Sequence, residues 1–103
     1  MQFIRAKDFT ADRPWGAMDI ACMQGITTRL HWTNQAYQWH INEKDEVFVV
    51  LHGKVTMHYE QENKQLSRLL EIGDIFYVPS GCKHYADPIG EARVLVVEKQ
   101  GSV

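Results

Sequence analysis

The chain has 103 residues, a formal net charge of −2 and a hydrophobic fraction of 45%. This length supports one packed core, so we expect a single domain over residues 1–103. The near-neutral charge and the absence of a basic cluster argue against nucleic acid or an anionic membrane surface as a partner. The chain start carries no apolar signal segment, and the longest apolar run, residues 47–51, is too short to span a bilayer. We therefore expect a cytoplasmic protein.

The sequence contains two cysteines, Cys22 and Cys82, and no C-x-x-C pattern. Isolated cysteines in a protein of the reducing cytosol are most often free thiols, which is the expectation here. A disulfide between Cys22 and Cys82 is the alternative.

Strand patterns dominate the chain, and no long window has the apolar spacing of a helix with caps at both ends. Runs of β-branched, aromatic and alternating apolar residues alternate with turn residues such as Gly, Asn, Asp and Pro. We predict strands at residues 16–23, 25–32, 37–41, 46–51, 54–59, 65–72, 75–78, 82–86 and 92–99. Residues 1–6 are a further candidate edge strand. Turns or loops are expected at 33–35, 42–45, 52–54, 60–64, 73–74, 79–81 and 87–90.

Many short strands at close spacing predict an all-β sandwich or barrel. Closure into a barrel or jelly roll would remove most exposed strand edges in so small a chain. The predicted fold class is therefore all-β, with a jelly-roll β-barrel as its architecture.

A first segment with chemical potential runs from residue 39 to residue 53. His40 and Asn42 are two residues apart and share one face if the chain is extended. Glu46 follows a short polar gap and opens an apolar strand, which places its carboxylate at the edge of the core. An imidazole, an amide oxygen and a carboxylate that converge there would suit a divalent cation.

A second segment covers residues 73–84. Pro79 ends ladder hydrogen bonding and Gly81 permits a positive φ, so residues 79–81 predict a tight reversal. The reversal would direct the next strand, and with it His84, back across the barrel. A side chain distant in sequence would thereby meet the first segment.

These two segments resemble the two motifs of the cupin family, specifically the small single-domain cupins that are similar to mannose-6-phosphate isomerase. The first motif, Gly-x5-His-x-His-x3-4-Glu-x6-Gly, is matched by His40-x-Asn42-x3-Glu46-x6-Gly53, with Asn34 in place of the leading glycine. The second, Gly-x5-Pro-x-Gly-x2-His-x3-Asn, is matched by Gly73-x5-Pro79-x-Gly81-x2-His84, with Pro88 in place of the final asparagine. The motif-bearing part covers about residues 34–100.

The resemblance implies a cupin jelly roll that holds one metal ion. By analogy with the family, His40, Glu46 and His84 are the retained ligands, and Asn42 stands where a further histidine would be. Asn42 would coordinate weakly or hold a metal-bound water. Two histidines and one carboxylate form a facial set with open positions, for which Fe, Mn, Ni and Zn are all suitable. The alternative is a degenerate cupin without metal, in which Glu46 and His84 form a buried pair.

Several other polar residues lack motif support. We expect solvated positions for His31, His52, His58, Arg29 and Arg93, although Arg29 and Arg93 would also suit an anionic substrate. Cys82 lies two residues before His84, and a packed free thiol is expected there. Trp39 would point away from His40 and support an interface, while Tyr77 and Lys83 are named as candidate proton-transfer groups.

Two functions follow from the resemblance and stay open. The first is a metal-dependent enzyme, an isomerase of a sugar or keto compound or an oxygenase, with a small-molecule substrate at the open positions. The second is a non-catalytic module that binds or senses a small molecule with or without metal. A homodimer is expected in either case, because small cupins resembling this chain usually pair.

Overall fold

The computed structural model describes residues 1–101, and the all-β prediction is confirmed. Its strands are β1 (Gly16–Met23), β2 (Ile26–Thr33), β3 (His40–Ile41), β4 (Glu46–Gln61), β5 (Lys64–Leu70), β6 (Ile75–Val78) and β7 (Lys83–Lys99). A short 3₁₀ helix, Ala6–Asp8, precedes them. Within this range no helix has the length and apolar character needed to cross a membrane.

All seven strands belong to one antiparallel sheet with the order β1-β2-β7-β4-β5. Strand β3 pairs with β7 beside this path, and β6 pairs with β4. The pairings found in residues 1–101 do not join β1 to β5, so hydrogen bonding leaves the sheet open. Strands β4 and β7 pair along nearly their whole lengths, from Glu46 opposite Glu98 to Tyr59 opposite His84.

The β4–β7 pair is bent in its middle, which creates the two facing layers of the interior. Its register shifts on either side of His52, where the partner of β4 passes from Arg93 to Ile89. Gly53 lies at the bend with a φ of +81°, and an added Cβ would lie 2.4 Å from the Glu91 carbonyl oxygen. Only glycine combines this φ with so close an approach of two strands.

Apolar side chains from both sides of the bend form the packed core. Phe48, Val50, Val94 and Val96 come from one side, and Val55, Met57, Leu70 and Ala86 from the other. Val50, Val55 and Val94 are fully buried. Because the bend brings the two sides face to face, the opposite ends of β4 and β7 also meet, and this meeting places the candidate site.

The predicted strands at 16–23 and 75–78 match β1 and β6 residue for residue. The turns predicted at 52–54 and 87–90 are wrong, because β4 and β7 continue through these positions. The glycine signals there mark bulges and bends, which keep the ladder on both sides instead of reversing the chain. The edge strand predicted at residues 1–6 is also wrong, since residues 1–5 pair with no strand.

The N-terminal segment is held to the bend by Arg93, whose predicted solvated position is wrong. Arg93 is 5% exposed, and its guanidinium donates to the Phe9 carbonyl at 2.8 Å and to Thr10 Oγ1 at 3.1 Å. It also donates to His52 Nδ1 and to Glu91, each at 3.1 Å. Arg93 therefore has a structural role and is not available to a substrate.

Candidate metal centre and cavity

A cavity of about 350 Å³ opens where the ends of β4 and β7 meet. Its apolar lining comes from Trp15, Ala17, Tyr37, Phe48, Ala86 and Val96. Its polar lining comes from Arg13, Arg29, His31, His40, Glu46, His84 and Glu98. This size and mixture are typical of a site for a small organic molecule.

His40 and His84 lie side by side at one end of the cavity, because β3 and β7 pair them directly. Their ring centroids are 4.4 Å apart. His40 Nδ1 is 3.1 Å from the Gln38 carbonyl, and His84 Nδ1 is 3.2 Å from the Cys82 carbonyl. A carbonyl oxygen only accepts, so both Nδ1 atoms carry hydrogen, and in a neutral ring this leaves the lone pair on Nε2. This is the tautomer that a metal-binding histidine needs.

Glu46 brings a carboxylate to the same end. Its Oε1 lies 3.7 Å from His84 Nε2, although the two residues belong to opposite ends of the β4–β7 pair. Burial opposes ionisation of Glu46, but the adjacent His84 and Glu98 side chains outweigh burial and lower its pKa. Glu98 is the paired residue on β7, and burial followed by the Glu46 carboxylate raises its pKa to about 8. At neutral pH the shared proton therefore resides on Glu98.

The residues present fit a divalent metal in donor type and in tautomer. Two imidazoles with free Nε2 atoms and one ionised carboxylate are a common ligand set for first-row metals. Convergence is incomplete, however, because no three His, Cys, Asp or Glu side chains within residues 1–101 lie close enough together to hold an ion. The pairs His40–His84 and His84–Glu46 are each in contact, and the three-way contact is missing.

Asn42 takes a different role from the ligand role that the sequence predicts. It is 1% exposed, and its amide nitrogen donates to the carbonyls of Lys44, Val78 and Pro79 at 2.8, 3.3 and 3.0 Å. Its amide oxygen accepts from the Cys82 N–H at 3.1 Å. The amide is thus used in joining the β3–β4 loop to the reversal before His84. The structure gives no support for Asn42 as a ligand, and its contribution is to position His84.

The wall facing the histidines comes from β2 and from the segment before β1. His31 and Arg29 both line the cavity. The solvated position expected for His31 is therefore wrong, whereas the Arg29 side chain is 40% exposed. The Trp15 carbonyl accepts a hydrogen bond from His31 Nδ1 at 2.9 Å, and the Trp15 indole N–H donates to the Gln35 carbonyl. The backbone of Trp15 has a φ of +62°. Burial lowers the pKa of His31, which is therefore neutral at neutral pH.

The proton-transfer candidates from the sequence lie outside the cavity. Tyr77 is 57% exposed and donates to Asp45 at 3.1 Å, and this hydrogen bond raises its pKa. The Lys83 ammonium lies 5.5 Å from the Trp39 ring centroid, on an aromatic cluster in which Trp39 and His58 both contact Tyr85. Neither Tyr77 nor Lys83 can act on a molecule held beside His84. Both Cys22 and Cys82 are free thiols, as expected.

Sequence reasoning missed three polar lining residues of the cavity: Arg13, His31 and Glu98. A signal for Glu98 was present, because Ala92, Val94 and Val96 share its parity and are buried. The inward face of β7 therefore ends on a glutamate. The misplacement of His31 arose because its strand neighbours Leu30 and Trp32 are apolar and buried. In β2, the polar face is the one that lines the cavity.

Comparison with known proteins supports this architecture. The solved structure of a cupin-2 domain containing protein from Shewanella frigidimarina has a TM-score of 0.75 at 22% identity, covering 87% of this chain and 85% of that chain. A structure of oxalate oxidase has a TM-score of 0.66 at 24% identity, covering 77% of this chain and 45% of that chain. At these identities the likeness concerns the fold alone.

A curated relative is closer in sequence. The acireductone dioxygenase of Geobacillus kaustophilus is 30% identical over 94 residues, which is 88% of this chain and 52% of that protein. The chain thus spans about half the length of this relative. Residues 32–98, which carry both motifs, match the model of the family described as "Cupin domain". The jelly-roll expectation is confirmed, and the chain belongs to the cupin domain family.

Proposed function

We propose that this cupin binds a divalent metal through His40, Glu46 and His84 and converts a small organic molecule held in the adjoining cavity. The observation that carries the proposal is the pairing of two imidazoles, each held to a main-chain carbonyl through Nδ1, beside the carboxylate of Glu46. The likeness to an acireductone dioxygenase supports oxygenation as the reaction class. Isomerisation of a keto compound is the second reaction class.

A bound Fe, Mn, Ni or Zn ion would supply Lewis-acid or dioxygen chemistry at this end of the cavity. The residues of the chain do the rest. The Gln38 and Cys82 carbonyls orient the two imidazoles, and Phe48, Ala86 and Val96 exclude water beside them. Glu98 holds a proton at its carboxyl group within reach of the same space.

Metal analysis tests the proposal directly. We expect about one metal ion per chain in protein purified from medium with trace metals, and loss of most of it in His84→Ala and His40→Ala. His58→Ala is the matched control, because His58 stacks on Tyr85 outside the cavity. Saturating metal should also raise the free energy of unfolding, by about 2.7 kcal/mol at one hundred times the Kd. The proposal would be refuted if the purified protein contained no metal and its stability changed neither with chelator nor with added metal.

A non-catalytic binding module is the second candidate function. It is favoured by the direct 3.7 Å approach of His84 to Glu46 and by the incomplete convergence of the three side chains. In this case the cavity would hold the same class of small molecule without metal. Ligand binding that is unchanged by chelator, together with an absence of turnover in metal-loaded protein, would select this candidate.

We also propose a homodimer. Ile75 and Tyr77 on β6 are 67% and 57% exposed and Ile26 on β2 is 41% exposed, which leaves apolar surface outside the sheet. Light scattering after size exclusion should give twice the chain mass, and Ile75→Glu should shift the protein toward monomer. Thr56→Glu on β4 provides a control substitution of the same charge.

A cytoplasmic location completes the proposal. Two free thiols, Cys22 and Cys82, suit a reducing compartment, where unpaired cysteines persist. Fractionation of cells that express the tagged protein tests the location, and recovery from the periplasm or medium would contradict it.

A further inference from the structure

The wall opposite the two paired histidines carries two arginines, which we call the arginine wall: Arg13, before β1, and Arg29, on β2. Arg29 is half-buried and Arg13 is exposed, and both line the cavity together with apolar side chains, imidazoles and the carboxyl groups of Glu46 and Glu98.

The arginine wall keeps hydrogen-bond donors free. Arg29 donates from Nε to Asp19 at 2.7 Å, and its side chain is 40% exposed. Within residues 1–101, the two Nη groups of Arg29 and the whole Arg13 guanidinium have no hydrogen-bond partner in the protein. A guanidinium fork with free N–H groups matches the two oxygens of a carboxylate.

The backbone fixes where these donors lie. Arg13 accepts through its carbonyl from the Gly16 N–H at 3.1 Å, which closes the turn into β1. The Trp15 carbonyl is joined to His31, and His31 lies two residues from Arg29 on the same face of β2. Two residues of a strand span about 6.6 Å, so Arg29 and His31 offer successive contacts along a short molecule.

The basic and acidic side chains of the cavity come from different elements. The arginines lie before β1 and on β2, whereas Glu46 at the start of β4 lies beside His84 and opposite Glu98 of β7. An acidic molecule would avoid Glu46 and place its negative end on the arginines. Its apolar body would then cover Phe48 and Val96, and its other end would face the histidines.

We propose that Arg13 and Arg29 bind the carboxylate group of the substrate, so that the molecule taken into this cavity is a small organic acid. The inference rests on the proposed function, because it assigns the substrate class of the same cavity. It adds two binding residues that belong to neither sequence motif.

The test uses benzoate and benzamide, which have the same shape and differ in charge. Binding is followed by backbone amide shifts of the full chain at low salt, with and without chelator. We expect benzoate to bind at least about tenfold more tightly than benzamide. Arg29→Gln and Arg13→Gln should each weaken benzoate binding by about tenfold without affecting benzamide. Arg68→Gln, at an exposed arginine of β5, is the matched control and should change neither.

Asp19→Asn gives a change of opposite sign. Asp19 has an 82% exposed side chain and engages Arg29, so its removal should strengthen benzoate binding by a few fold. This variant keeps the test decisive if an arginine variant is poorly folded. Equal affinity for benzoate and benzamide, or equal loss in Arg68→Gln and Arg29→Gln, would overturn the inference.

Metal content, measured on every variant, separates this inference from the proposed function. Benzoate selectivity that depends on Arg29 in a protein without metal would refute the metal site and keep the arginine wall. One metal per chain without benzoate selectivity would refute the arginine wall and keep the metal site.

Discussion

The interior of this protein has two ends that are built from the same two strands and filled in different ways. Near the bend, Val50, Val55 and Val94 are fully buried and close-packed. Toward the strand ends, the same inward positions hold Glu46, His84 and Glu98 around a cavity of about 350 Å³. We infer that the packed side chains near the bend supply the stability of the fold. This allows the open end to carry polar groups that contribute little to that stability.

Substitution at the bend should cause the largest loss of stability. Gly53→Ala would combine an unfavourable positive φ with a Cβ 2.4 Å from the Glu91 carbonyl. We expect a loss of about 3 kcal/mol or more in the free energy of unfolding, measured in urea. Gly90→Ala is the control, because Gly90 has a φ of +72° but no atom within 4 Å of an added Cβ. It should cost about 1 kcal/mol, and equal losses would show that φ alone matters.

Asn42 supports the open end of the interior, so its substitution tests that end. Asn42→Ala removes the amide and leaves the half-buried Cys82 N–H and three carbonyls without this partner. We expect the free energy of unfolding to fall by about 2 to 3 kcal/mol. Metal binding should also weaken, because the reversal that positions His84 would be held less firmly. Asn34→Ala, at an exposed loop asparagine, should be nearly neutral. Unchanged stability in Asn42→Ala would contradict the assigned role.

Matched truncations compare the two ends directly. Val94 is fully buried in the packed core, whereas Val96, two residues further along β7, also lines the cavity. Val94→Ala should cost about 2 to 3 kcal/mol, because it creates a new void among packed side chains. Val96→Ala should cost about 1 kcal/mol, because it extends a space that already exists. Calorimetric unfolding of both variants checks the order, and a reversed order would place the packed core elsewhere.

The pH dependence of stability is the mildest of these effects. The pKa of Glu98 is about 8, against 4.5 for an unperturbed glutamate. Between these values the folded protein binds one more proton than the unfolded chain, so stability falls as pH rises through this window. Glu46 acts in the opposite direction, since its lowered pKa gives stability that is lost as pH falls below 4.5.

Glu98→Gln should flatten the decline between pH 4.5 and pH 8 in metal-free protein. Glu91→Gln, at an exposed glutamate beside the bend, serves as the control. A decline of equal slope in Glu98→Gln would show that another group holds the proton.

The fold class could be predicted from the sequence, because the alternation of apolar and polar residues and the turn residues are local signals. Each strand can therefore be recognised on its own. The sequence also predicted that His40, Glu46 and His84 would come near one another, through the resemblance of both motifs to a known family. It did not predict that residues 46–61 form one strand, since a glycine at a bulge and a glycine at a turn give the same local signal. It missed Arg13 because this residue lies in a segment without regular structure, whose position beside the cavity depends on the tertiary fold.

The two carbonyls that orient the histidines have a consequence for how the site can change. Each imidazole is oriented by a contact with the main-chain carbonyl two residues before it. Gln38 orients His40 in this way, and Cys82 orients His84. Main-chain atoms are the same for every residue type, so replacement of Gln38 or Cys82 leaves the aim intact. Inserting or deleting one residue within either three-residue unit would misdirect the ring. The side chains at positions 38 and 82 can therefore change without redirecting the rings, whereas the spacing to His40 and His84 has to stay fixed.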